Sequence, residues 1–215
     1  MQSTKISFSK LGLEIKPAVK PDTLMQVTDK IILLFDNSGS MGESYKTSTR
    51  DAMARLGVKE FILKKSNTTA LRLQPLNIKD SFETIREELY LLDKIRLLIK
   101  LDAIEVFGST PFWASLYASL RLKPSRIIVF TDGSPTDSGS VSELVKYNIP
   151  IDTVYIGPDS KIARNLLREI SQKTNGIFMA FEDMEAFKKA FTFLLPEHRA
   201  QLMLPGKIEE LGGKK

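Results

Sequence analysis

At 215 residues and 42% hydrophobic content, the chain can close a sizeable core without disulfide staples. Cysteine is absent and His198 is the single histidine, which excludes thiol chemistry, a disulfide scaffold and a Cys- or His-cluster metal site, so any metal must be held by oxygen. Lys+Arg 31 against Asp+Glu 26 leaves +5 with no block of like charge, which argues against nucleic-acid binding and leaves acidic surfaces as reasonable partners.

In chain order, residues 1–28 read as an extension. Within it, residues 4–16 alternate apolar and polar at period two, as a small hairpin would, before Pro17 and Pro21 break the chain. The body spans 29–195. Ile31-Ile32-Leu33-Leu34-Phe35 is a continuous apolar run, the pattern of a strand buried on both faces. A helix is predicted over Ser44 to Lys65 and a short strand over Thr69 to Leu73. Asp80 with Glu83 has the form of a capping box, opening a long helix through Phe82, Ile85, Leu89, Leu92 and Ile95. The loop Gly108-Ser109-Thr110-Pro111 precedes a helix from Phe112 to Leu122, whose small residues suit close packing on a sheet.

The alternation continues in the second half. Ile127-Ile128-Val129-Phe130 reads as another doubly buried strand, and Val141 to Tyr147 as a helix. Strand Ile151 to Ile156 precedes helix Ser160 to Thr174, with Asp159 as its candidate cap. Asn175-Gly176 stops that helix before strand Ile177 to Ala180, and Asp183 caps a last helix to Leu195. From Pro196 onward, residues 196–215 are predicted to be a mobile tail. Doubly buried strands separated by helices imply an α/β fold, a mostly parallel central sheet flanked by helices with right-handed crossovers. No run reaches eighteen apolar residues, so neither a membrane span nor a signal peptide is expected, and the expected location is cytoplasmic.

In such sheets ligands collect beyond the carboxyl ends of the strands. The first strand runs into Asp36-Asn37-Ser38-Gly39-Ser40-Met41-Gly42, and the strand at 127–130 runs into Thr131-Asp132-Gly133. Between them lies the loop carrying Thr110. One sheet edge is thus offered two carboxylates and three hydroxyls, all hard oxygen donors, a set suited to Mg²⁺ or Mn²⁺. Gly39 and Gly42 are expected to permit a tight turn that aims both serine hydroxyls at one point.

Asp-x-Ser-x-Ser after an apolar first strand, a threonine in a Gly-Ser-Thr-Pro loop and Thr-Asp-Gly after a later strand together resemble the von Willebrand factor A (vWA) family over roughly 29–195. The pattern is similar to that family's metal-ion-dependent adhesion site, complete in its residue types. The resemblance implies a three-layer Rossmann-like fold with strand order 3-2-1-4-5-6, and Asp36, Ser38, Ser40, Thr110 and Asp132 as the metal set. It also implies metal-dependent protein binding without catalytic turnover, in which the partner supplies an acidic residue. Thr110 would coordinate in the bound state, and direct Asp132 coordination would mark the unliganded one. An AAA+ ATPase or a macromolecular assembly is the implied kind of partner, and a structural or virion-associated role is the alternative. The sequence departs from the family between Thr69 and Asp80, where room is short. The edge hairpin is therefore expected to be reduced, with the 4–16 hairpin covering the edge.

The competing enzymatic reading is a Mg²⁺-dependent haloacid dehalogenase-like phosphatase, with Asp36 as nucleophile. It needs an acid two residues on, where Ser38 stands, and serine cannot protonate a leaving group at neutral pH. Among neighbouring residues, Trp113 is expected in the core. Tyr45 either lines the site or shields the first helix. Asp137 and Glu105 read as solvated loop carboxylates.

Overall fold

The computed structural model describes residues 29–45, 48–66, 68–77, 91, 93–133, 135–158 and 160–181. The predicted 4–16 hairpin, the capping box at Asp80, the final helix from Asp183 and the tail lie outside them, as does Asp159. In chain order the elements are β1 (Asp29–Phe35), a 3₁₀ turn (Gly39–Gly42), β2 (Ser44–Tyr45), β3 (Ser48–Thr49), α1 (Arg50–Lys64), β4 (Thr69–Pro75), α2 (Lys94–Asp102) and α3 (Phe112–Arg121). There follow β5 (Arg126–Thr131), α4 (Val141–Val145), β6 (Ile151–Ile156), α5 (Lys161–Lys173) and β7 (Phe178–Phe181).

Five strands form one sheet in the order β4-β1-β5-β6-β7, every pairing parallel. Residues 31–35 of β1 are buried, and the period-two alternation of a strand sends them to opposite faces. Ile31, Leu33 and Phe35 join a core with α1 and α2. Ile32 and Leu34 join a second core with α3, α4 and α5. Each fully buried aliphatic or Phe side chain contributes about 1.5–3 kcal/mol of transfer free energy, which is why the buried stretch 31–35 is wholly apolar while Asp29 and Lys30 sit at the less buried start of the strand. The expected α/β layering follows from that alternation.

The predicted elements are corrected at two places. The first helix begins at Arg50 rather than Ser44, because Ser44–Tyr45 pairs antiparallel with Ser48–Thr49 and the Thr49 hydroxyl accepts the Ala52 N–H at 3.1 Å as the cap. The predicted long helix is not helical at Leu91, where Leu91 and Leu71 exchange backbone hydrogen bonds of 2.8 and 3.0 Å in an antiparallel bridge. A helix, α2, starts at Lys94, where Asp93 accepts the N–H groups of Ile95 and Arg96, and the predicted start at Asp80 lies outside the described residues. Its phase differs too: Leu97 and Leu101 are buried, whereas Ile95 is 69% exposed. At the start of α5 the Ser160 hydroxyl caps by accepting the Ala163 N–H, and beyond its end Asn175 takes the left-handed conformation at φ 58°. No helix among the described residues is long and apolar enough to cross a membrane.

Candidate functional site

Because β1 and β5 are neighbours in register, with Phe35 opposite Phe130, their carboxyl ends leave the sheet side by side. Asp36 continues the ladder by donating its N–H to Phe130 O at 2.9 Å. Its side chain is wholly buried: Oδ1 accepts the Ser38 N–H at 2.9 Å and Oδ2 accepts the Thr131 hydroxyl at 2.6 Å. Burial pushes the Asp36 carboxyl above the ordinary aspartate value. The bonds from Thr131 and Ser38 pull the other way, and the nearby Asp132 charge adds to the rise. A carboxylate whose ionised form is thus destabilised gains from a neighbouring positive charge.

The turn after β1 aims the two serines together. Ser38 Oγ and Ser40 Oγ lie 3.1 Å apart. Adjacent ligands around an octahedral Mg²⁺ with bonds near 2.1 Å lie roughly 3.0 Å apart, so the pair fits one edge of that shell. The tight turn expected at Gly39 and Gly42 is a 3₁₀ turn without positive φ at either glycine; among the described residues the left-handed glycines are Gly108 (φ 70°) and Gly133 (φ 75°).

Thr110 is buried and enters through its loop backbone. Gly39 donates to Gly108 O at 3.0 Å, while Thr110 accepts the Thr136 N–H at 2.9 Å and donates to Thr136 Oγ1 at 3.2 Å. Asp132 is also buried and is held by Arg50. One guanidinium nitrogen of Arg50 donates to Asp132 Oδ2 at 2.9 Å and to Ser40 O at 3.2 Å, and the other to Glu43 Oε2 at 2.8 Å. Asp36, Ser38 and Ser40 are thus joined by direct hydrogen bonds, Asp132 is tied to them through Arg50, and Thr110 sits on a loop hydrogen-bonded to theirs. The donor set is hydroxyl-rich: among the described residues no group of three or more His, Cys, Asp or Glu is placed to hold a metal. Two carboxylates with three hydroxyls still match the oxygen-only chemistry of Mg²⁺ or Mn²⁺.

Several supporting residues escaped the sequence reading. Asn37 is buried, its amide nitrogen donating to Asn77 O and Glu105 O at 3.0 and 2.9 Å and its oxygen accepting the Asn77 N–H at 2.8 Å. The Asn77 amide in turn donates to Phe107 O and Ser109 O at 2.7 and 2.9 Å, so the two asparagines lock the Thr110 loop to the first-strand loop. Asp137 is not merely solvated: its oxygens accept the Trp113 and Ala114 N–H groups at 3.1 and 2.8 Å, capping α3 from a remote loop. Glu105 takes part through its carbonyl. Tyr45 packs against the core beneath α1, and Trp113 is core, edge-on to Phe112. No local signal pointed toward Arg50, because with the helix predicted from Ser44 it sat in the second turn, and only the structure places it in the first.

No known protein-family model matches the sequence. No curated protein matches it significantly. Among solved structures, the chain is similar to the conserved hypothetical protein BatB from Bacteroides thetaiotaomicron, with TM-score 0.63 and 15% identity over 81% of this chain and 98% of that one. It is similar to von Willebrand factor type A from Catenulispora acidiphila, with TM-score 0.62 and 16% identity over 77% of this chain but only 41% of that one. The N-terminal domain of TFIIH p34 aligns at TM-score 0.50 and 12% identity, over 81% and 100% of the two chains. At these identities the likeness carries the fold, and with the parallel order β4-β1-β5-β6-β7 it establishes that this chain has the von Willebrand factor A-type fold.

Proposed function

We propose that the chain is a protein-interaction module that binds Mg²⁺ or Mn²⁺ through Asp36, Ser38, Ser40, Thr110 and Asp132, and through that ion an acidic side chain of a partner protein. The observation that carries this reading is the pair of serine hydroxyls 3.1 Å apart beside the buried Asp36, at the carboxyl edge of adjacent central strands. When bound, the cation supplies a Lewis-acidic point that attracts a carboxylate oxygen. Ser38, Ser40 and Thr110 bring neutral oxygens, which leave most of the ion's charge for the incoming group. Asp36 is held in place by Ser38 and Thr131, and the asparagine lock keeps the Thr110 loop in register. The excess of +5 assists the approach of an acidic partner. The vWA resemblance makes an AAA+ ATPase or a macromolecular assembly the proposed kind of partner. Catalytic turnover is not part of this reading: Asp36 is wholly buried with both oxygens hydrogen-bonded, and Ser38 stands where a phosphatase needs an acid.

Calorimetric and thermal titrations with Mg²⁺ and Mn²⁺ test the site. At a hundredfold excess over the dissociation constant, the cation should add about 2.7 kcal/mol, a rise of roughly 5–10 °C in melting temperature, and Asp36→Ala should abolish it. A melting temperature unmoved across the titration removes the cation from the reading. Pull-down of a partner in Mg²⁺ and again in EDTA tests the interaction, and equal capture refutes metal dependence. Mg²⁺-dependent phosphoester hydrolysis lost in Asp36→Asn would establish the enzymatic alternative instead.

A further inference from the structure

Arg50 is misplaced for its helix. It opens α1 directly after the Thr49 cap, where the positive end of the helix dipole disfavours a cation. Its position is understandable only from the loops it faces. The guanidinium forks between Asp132 Oδ2 and Ser40 O, while its second nitrogen reaches Glu43. The Arg50 and Asp132 side chains are 12% and 4% exposed, so this pair is largely withdrawn from water, whereas Glu43 at 63% is not. A positive charge therefore sits permanently on one of the two carboxylates proposed for the cation, and touches the peptide of one of the proposed hydroxyl donors.

We infer that Arg50 is the resident counter-cation of Asp132 and limits how tightly the site takes a divalent ion. The inference rests on the cation-binding reading above and deepens it. Without a divalent ion, Arg50 keeps Asp36 and Asp132 from facing each other as two uncompensated charges. With one, Arg50 is a like charge at short range that occupies an oxygen of Asp132. Affinity is thus set by a residue outside the Asp-x-Ser-x-Ser pattern, and the interaction module is biased toward releasing its ion. Glu43, at the exposed end of the fork, gives the guanidinium a second carboxylate toward which to shift when Asp132 is claimed.

Mn²⁺ binding, read from the electron paramagnetic resonance signal of the free ion, separates charge from shape. A like charge about 6 Å from a divalent ion changes its affinity roughly tenfold even with water-like screening, so Arg50→Gln should bind Mn²⁺ at least tenfold more tightly than wild type. Arg50→Lys keeps the charge and should stay within about threefold of wild type. In EDTA, Arg50→Gln should melt below wild type and recover more than wild type when Mn²⁺ is added. Unchanged or weaker Mn²⁺ binding in Arg50→Gln, beside a binding wild type, overturns the role of Arg50 alone. No binding by either protein overturns the cation site itself, and the inference with it. If Arg50→Gln does not fold, Arg50→Lys decides: a change beyond roughly tenfold in the charge-conserving variant refutes the inference.

Discussion

Replacing Asn37 with alanine should loosen the candidate site from behind, without touching any proposed ligand. Asn37 is 1% exposed and makes three side-chain hydrogen bonds, donating to Asn77 O and Glu105 O and accepting from Asn77 N–H at 3.0, 2.9 and 2.8 Å. Each such bond contributes about 0.5–1.5 kcal/mol, and backbone groups stranded in a partly buried position lose more than that. The sum is about 3 kcal/mol, or roughly 6–12 °C in melting temperature for a chain of this size. The damage should spread, because the Asn77 amide is placed by Asn37 and itself holds Phe107 O and Ser109 O, the approach to Thr110. Urea denaturation in EDTA measures the first effect. Hydrogen exchange at the Gly39 amide, bonded to Gly108 O across the two loops, measures the second and should accelerate. Asn37→Asp is the informative control. It retains an acceptor for Asn77 N–H but turns a carboxylate oxygen toward two carbonyls, so it should be at least as destabilising as alanine. A loss below about 1 kcal/mol in Asn37→Ala, or an Asn37→Asp variant as stable as wild type, would refute the lock.

Three further outcomes follow from the same geometry. In EDTA, the Asp36 carboxyl is held above its unfolded value of 3.8, so it costs no stability below about pH 4 and lowers stability as pH rises through its raised folded value; Asp36→Asn, whose amide can donate to Thr131 Oγ1, should flatten that decline in denaturation curves between pH 4 and 8, and an unchanged slope would contradict it. Gly133→Ala forces a side chain into φ 75° with its Cβ 2.8 Å from Ala163 Cβ, and should cost about 2–4 kcal/mol, whereas Gly39→Ala, whose nearest neighbour is Gly108 O at 3.5 Å, should change stability by under roughly 1 kcal/mol in the same urea assay. Asp137→Ala strips two N–H partners from the start of α3 and should lower stability by about 1–2 kcal/mol, measurable as a shift of the urea midpoint at unchanged slope.

The sequence by itself determined the elements whose cause is local or repetitive. Ile31 to Phe35 and Ile127 to Phe130 announce strands buried on both faces, because only a covered parallel sheet tolerates unbroken apolar runs. A polar residue after each run then marks where the strand meets the ligand-binding edge. The positions of Asp36, Ser38, Ser40 and Asp132 just past the carboxyl ends of β1 and β5 were legible for that reason, whereas Thr110, in the loop before α3, was singled out through the family resemblance. Tertiary structure alone decided what depends on partners distant in sequence. The first helix starts at Arg50 because Ser44–Tyr45 finds Ser48–Thr49, and Leu91 is not helical because it pairs with Leu71 of β4. Local signals at Ser44 and Leu91 could not register those competing bonds. The same holds within the site: Asn37 is an unconstrained position in the Asp-x-Ser-x-Ser pattern, yet its hydrogen bonds span 40 and 68 residues. Arg50 meets Asp132 across 82 residues. Hydrophobic periodicity reports which face a residue presents, whereas hydrogen bonds and ion pairs depend on which loops the sheet order brings together, and that order places β1 beside β5 only once the chain has folded.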